Sequence, residues 1–189
     1  MKNIFLLLFI LWSLTGCESN TLTHKETVIK YYNARSTGNY NQIKSTISDT
    51  ITIVAGDYVM PYNHGTFYEQ FKWDSIFKPS YKIIALEESS DQITALVTQD
   101  CIRNDFLKNN PLKCFYKISF SSGKISKIED VSCEDVDWNT WQQERDSLVN
   151  WIKKTHPELD GFINDMTMSG SIKYLKAIEL YKAHQKILE

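Results

Sequence analysis

Between His24 and Arg35, Val28 and Tyr32 recur four apart with Ile29 beside them, which predicts an amphipathic helix. Gly38 ends it, and Ile43 and Ile47, again four apart, predict a second short helix. Ile51-Thr52-Ile53-Val54 reads as a strand, and Asp57 to Gly65, carrying Pro61, as a loop. A helix over Thr66 to Phe77 then presents Phe67, Phe71 and Trp73, with Pro79 closing it. From residue 81 the period falls to two, predicting strands over residues 81–86, 92–103, 112–120 and 124–129. Turns fall at 88–91, 105–111 and Ser122-Gly123, where glycine tolerates the positive φ of a tight turn. Ile125 and Ile128 are out of phase, which predicts a bulge.

After Asp135 the spacing is helical again. Trp138, Trp141, Leu148, Trp151 and Ile152 form one stripe that stops before His156-Pro157. A short segment over residues 159–163 and a last helix with Tyr174, Ile178 and Tyr181 follow. Hairpins rather than crossovers join the strands, so the class is α+β. The stripe's polar side carries Gln142, Glu144, Asp146 and Lys153, without the basic cluster of a membrane-lying helix. It therefore reads as packing on the open side or rim of the sheet.

The middle hairpin invites a register argument. Ile93, Ala95, Val97 and Cys101 share one face, as do Cys114, Tyr116, Ile118 and Phe120. Setting Cys101 against Cys114 satisfies both apolar faces and places two cysteines together. The expectation is a Cys101–Cys114 disulfide with Cys133 left over; the alternative is that both are buried thiols.

The amino terminus carries an address rather than a fold element. Lys2 precedes an unbroken apolar run, Ile4 to Trp12, shorter than the roughly 20 residues of a membrane span. The run leads to Leu14-Thr15-Gly16-Cys17, which resembles the bacterial lipoprotein box. That resemblance implies cleavage after residue 16 and lipidation of Cys17, with residues 17–23 as a short tether. The expected location is the cell envelope, lipid-anchored on the periplasmic face of the outer membrane.

Composition narrows the function classes. The 189 residues include 21 Lys+Arg against 23 Asp+Glu, which leaves no basic footprint for nucleic acid. Aromatic residues make up 13%, enough to furnish both a core and a pocket lining. The four histidines are scattered, and neither a His-Glu-x-x-His nor a Cys-x-x-Cys motif occurs, so no metal is expected. Glycine-rich phosphate loops and Gly-x-Ser-x-Gly elbows are also absent, and no cofactor is expected.

Thr27-Val28-Ile29-Lys30-Tyr31-Tyr32 with Gly38-Asn39-Tyr40, followed by Asp57, Pro61 and Gly65-Thr66-Phe67-Tyr68-Glu69-Gln70-Phe71, resembles the nuclear transport factor 2-like (SnoaL-like) family over about residues 23–130. The resemblance implies a curved antiparallel sheet packed against amino-terminal helices as a cone. That domain would span residues 24–134, with residues 135–189 a helical extension packed on it. Family members dimerise through the sheet, which implies a possible homodimer. They include isomerases, dehydratases, hydrolases and non-catalytic binding modules, so the fold does not choose a function. The isomerases use a carboxylate base, a tyrosine and a protonated carboxyl, a trio without matching positions here.

Five residues are pocket candidates. Tyr31 and Tyr32 put phenols on the first helix, where one faces the cone interior, and Trp73 offers a pocket wall; each also reads as plain core. His64, beside a glycine at a helix start, can titrate near neutrality, and Asp57 in the same loop could orient it; both also read as solvated loop residues. Asp100 alternates away from the apolar face and is expected in solvent. The leading expectation is a lipid-anchored, non-catalytic module binding a small apolar molecule or a partner. The alternative is an isomerase, dehydratase or hydrolase working in a buried cone pocket.

Overall fold

The computed structural model describes residues 22–188. The expected leader over residues 1–16, Cys17 and most of the expected tether lie outside them. No helix among the described residues is long and apolar enough to cross a membrane.

Helix α1 (His24–Ser36) begins at a reciprocal cap. Thr23 Oγ1 accepts from the Glu26 amide, while the Glu26 carboxylate accepts from the Thr23 amide at 2.8 Å. The helix buries Val28, Tyr31, Tyr32 and Ala34 and ends before Gly38, whose φ of +68° only glycine adopts freely. Helix α2 (Tyr40–Thr46) is capped by Asn39 and gives way at once to strand β1 (Ile47–Ala55). Ile47 thus opens a strand rather than closing a helix.

The segment expected to be a loop is largely a strand. β2 (Tyr58–Asn63) folds back on β1 through a turn at Gly56-Asp57. Pro61 obscures this strand in the sequence, yet β2 is an edge strand, where a missing amide donor is tolerated. Asn63 then caps helix α3 (His64–Ser75) by accepting from the Thr66 amide.

β3 (Ser80–Ser89), β4 (Gln92–Asp100), helix α4 (Ile102–Phe106), β5 (Leu112–Ser121) and β6 (Lys124–Glu134) complete the sheet. The order is β2-β1-β6-β5-β4-β3, antiparallel throughout except for the parallel join of β1 to β6. Two one-residue bulges interrupt β6. Ser126 is the extra residue between the Ile125 and Lys127 pairs, and Val131 the one between Asp130 and Ser132. The first bulge lets Ile125 and Ile128 both face inward, and both are buried.

The cysteine pairing differs from expectation. Cys114 lies opposite Cys133 on β6 and is bonded to it, while Cys101 is a buried free thiol. In the β4–β5 register Val97 faces Cys114 and Ala95 faces Tyr116. Period-two patterning specifies only which face is buried, and sliding by any even number of residues, here four, leaves that unchanged. The register is set by the connection, in which α4 takes up residues expected to pair and carries Cys101 off the ladder.

Two apolar clusters form. The first fills the concave face of the sheet beneath α1 and α2, with Phe67 of α3. The second joins Trp73 and Phe77 of the α3 region and Phe106 and Leu107 of the α4 region to the carboxy-terminal helices. Those helices are α5 (Trp138–Thr155) and α6 (Met168–Leu188), linked by 3₁₀ turns at Pro157–Leu159 and Phe162–Asn164. Leu148 and Ile152 supply the buried part of the tryptophan stripe, Trp141 and Trp151 are half-buried, and Trp138 stands in solvent.

Candidate functional site

The mouth of the first cluster opens into a cavity of about 400 Å³. Helical spacing brings Tyr31, Tyr32 and Arg35 of α1 to it, and Phe67, Gln70, Trp73 and Asp74 of α3. The sheet adds Ile53, Tyr62, Tyr81, Gln99, Tyr116, Ile128 and Asp130, and α4 adds Arg103. Met166, in the link before α6, completes the rim.

One wall is a charged, aromatic network. Arg35 Nη2 donates to Asp74 Oδ2 at 2.7 Å and Arg35 Nη1 to the Tyr31 hydroxyl at 3.1 Å. The guanidinium lies 4.9 Å from the Tyr81 ring centre, and Gln99 Nε2 donates to the Tyr81 hydroxyl at 3.2 Å. Burial disfavours the Arg35 charge, but the surrounding phenols and Asp74 outweigh it and keep the group cationic.

Burial also pushes the phenols of Tyr32, Tyr81 and Tyr116 well above their ordinary value, and for Tyr116 the Asp130 carboxylate adds to the effect. These hydroxyls therefore stay protonated donors. Asp130 is the register partner of Tyr116 on β6 and sits beside the Val131 bulge. Its side chain is exposed at the cavity wall, yet enough protein surrounds it that desolvation raises its carboxyl from 3.8 to about 6. A carboxyl at that value exists in both protonation states near neutrality and can take and return a proton.

Of the residues singled out in the sequence, Tyr31, Tyr32 and Trp73 meet at this cavity. Trp73 also has a structural duty, its Nε1 donating to the Asp165 carbonyl at 3.1 Å. Asp57 and His64 do not line it. The β1–β2 hairpin puts Asp57 at an exposed turn, and β2 separates it from His64. His64 opens α3, its carbonyl accepting from the Tyr40 hydroxyl and its Nε2 enclosed without a partner. Asp100 is exposed at the end of β4. Among the described residues no three His, Cys, Asp or Glu side chains group as metal ligands.

Arg35, Asp74, Tyr81, Tyr116, Arg103 and Asp130 escape the sequence reading. Some carry a signal. Arg35 follows Tyr31 by four positions, Tyr116 is in phase with Cys114 and Ile118, and Asp130 is in phase with Ile128. An acidic residue on the apolar phase of a strand is the clue that ending β6 at Glu129 conceals.

No family model matches the chain, and no curated protein matches it. Solved structures do. IdmH, a proposed polyketide cyclase from Streptomyces antibioticus, superposes with a TM-score of 0.50 at 13% identity, over 66% of this chain and 99% of its own. A Kribbella flavida protein gives 0.50 at 10% identity, over 67% and 98%. A nuclear transport factor 2-like protein of unknown function from Cytophaga hutchinsonii gives 0.49 at 11%, over 60% and 92%. At such identities the likeness concerns the fold alone: the chain has the nuclear transport factor 2-like cone fold, with carboxy-terminal helices added to it.

Proposed function

We propose that the protein is a lipid-anchored cell-envelope enzyme of the isomerase, dehydratase or cyclase kind, which moves a proton on a small carbonyl compound held in the cone. The observation that carries this reading is Asp130, a carboxyl raised to about 6 on the wall of an aromatic cavity. Ionised, it accepts a proton from a carbon next to a carbonyl and returns it at another position. Oxyanion stabilisation falls to the phenols. Tyr32 and Tyr116 are held protonated by burial, and the Tyr31 hydroxyl, whose oxygen accepts from Arg35, is polarised by that contact as a donor. The anchoring part of the reading is supported by Lys2, the apolar run Ile4 to Trp12 and the box ending at Cys17.

The test uses the full chain in detergent, with cyclohex-3-enone and larger β,γ-unsaturated ketones in deuterated buffer. Conjugation is followed by ultraviolet absorbance and deuterium uptake by NMR. Asp130→Asn keeps the shape and removes the base, so the rate falls by about 10²–10⁴ with no loss of stability near neutral pH. In the unaltered protein kcat/KM rises with pH through about 6, as the carboxylate forms. An Asp130→Asn rate equal to the unaltered one, or a panel with no exchange, would overturn the catalytic reading in favour of a non-catalytic binding module.

A further inference from the structure

The cavity holds two guanidinium groups, and they are not equally satisfied. Arg35 has Asp74 at 2.7 Å. Arg103 has no carboxylate within ion-pair distance among the described residues, and its enclosed Nε donates to no group. It is nevertheless held in place. The guanidinium carbon lies 4.9 Å from the Trp73 ring centre and 5.5 Å from that of Phe77. Its helix is fixed at its start and its middle, the Ile102 amide donating to the Phe77 carbonyl at 3.0 Å and the Asn104 side chain to the Gln99 carbonyl at 3.5 Å. Arg103 is thus oriented by aromatic faces and backbone rather than by an opposite charge.

We infer that Arg103 is the anchor for a carboxylate on the ligand, and that the cavity takes a small molecule with a flat apolar body and a single carboxylate. A partly enclosed cation without an anion carries an electrostatic cost that a bound anion removes. The planar fork of arginine matches the two oxygens of a carboxylate. With Arg35 offset by Asp74 and a second carboxylate, Asp130, on the same wall, Arg103 is the one cation left to meet an anion, which suits a monoanion better than a doubly charged phosphate. Trp73, Phe67, Met166 and Ile53 supply apolar wall for the body of the ligand. This deepens the reading above and rests on the same cavity: the carbonyl compound handled by Asp130 would carry its acid group at the Arg103 end.

The test is a calorimetric titration of the full chain with matched pairs: benzoate and benzamide, 2-naphthoate and 2-naphthamide, biphenyl-4-carboxylate and its amide. Each pair has one shape and differs in charge, so the comparison in the unaltered protein needs no variant to fold. The acid of the pair that fits best should bind about tenfold or more tightly than its amide, the range of a charge-assisted contact. Arg103→Met should bring the two within about twofold, and Arg103→Lys should restore part of the preference. Equal binding of acid and amide, no binding by any acid, or an acid preference that survives Arg103→Met would overturn the inference. Loss of the acid preference with Asp130-dependent turnover intact would sink the anchor and spare the catalytic reading. An acid preference without turnover would do the reverse.

Discussion

Raising a carboxyl from 3.8 to about 6 has a consequence for stability that needs no substrate. A group that binds its proton more tightly when folded favours the native state while protonated. Its contribution is fully present below 3.8 and is lost as pH rises through about 6. At about 1.4 kcal/mol per tenfold change, the full displacement corresponds to about 3 kcal/mol. The Asp130 side chain is exposed, and solvent screening brings the expected effect down to about 1 kcal/mol. The perturbation is Asp130→Asn, and the measurement is a set of urea melts of both proteins between pH 4 and pH 8. Every other titrating group is common to the two, so only the change in their difference matters. The variant should gain about 1 kcal/mol on the unaltered protein between those limits, most of it before pH 7. Such a gain would mean that the fold tolerates a carboxylate where stability alone prefers an amide, as functional sites commonly do. Parallel curves would show that Asp130 titrates like a surface aspartate, and the physical basis for its role would be gone.

The Cys114–Cys133 bridge closes a segment 19 residues apart, so its removal should cost about 3 kcal/mol in urea melts with and without reductant. In residues 22–188, unfolded without reductant, one thiol should titrate; Cys101→Ala should remove it, and a persisting thiol would contradict the pairing. A Cβ on Gly170 would lie 2.0 Å from the Asp165 carbonyl oxygen, the acceptor of Trp73 Nε1. Gly170→Ala should therefore lower stability by about 1–3 kcal/mol and shift the tryptophan emission, and an unchanged melt would mean that this contact is looser than described. Cys17→Ala should abolish metabolic labelling with palmitate and release the protein from membranes; continued acylation would defeat the anchoring proposal.

Local patterning carried much of the architecture. Helical spacing around Val28 and Tyr32, and alternation through Ile93–Val97 and Cys114–Phe120, announce α1, β4 and β5 because each element must bury one face, whatever its neighbours are. The two out-of-phase isoleucines announce the first β6 bulge for the same reason. Tyr31, Tyr32 and Trp73 were legible as cavity residues because aromatic side chains on buried helix faces have few other places to go.

The remainder was decided by the tertiary structure. β2 is a strand because β1 offers it an edge, a fact invisible in a segment that contains Pro61. The cysteine pairing depends on register, and patterning at period two is blind to a slide of an even number of residues, such as the four that separate the expected β4–β5 register from the observed one. The charged residues were the hardest to place. Arg35, Arg103 and Asp130 read as ordinary surface side chains one by one. Their meaning lies in distances that residues 35, 74, 103 and 130 acquire only when α1, α3, α4 and β6 close around one cavity. Burial patterns belong to single elements and are written in the chain; electrostatic environments belong to several elements at once, and only folding creates them.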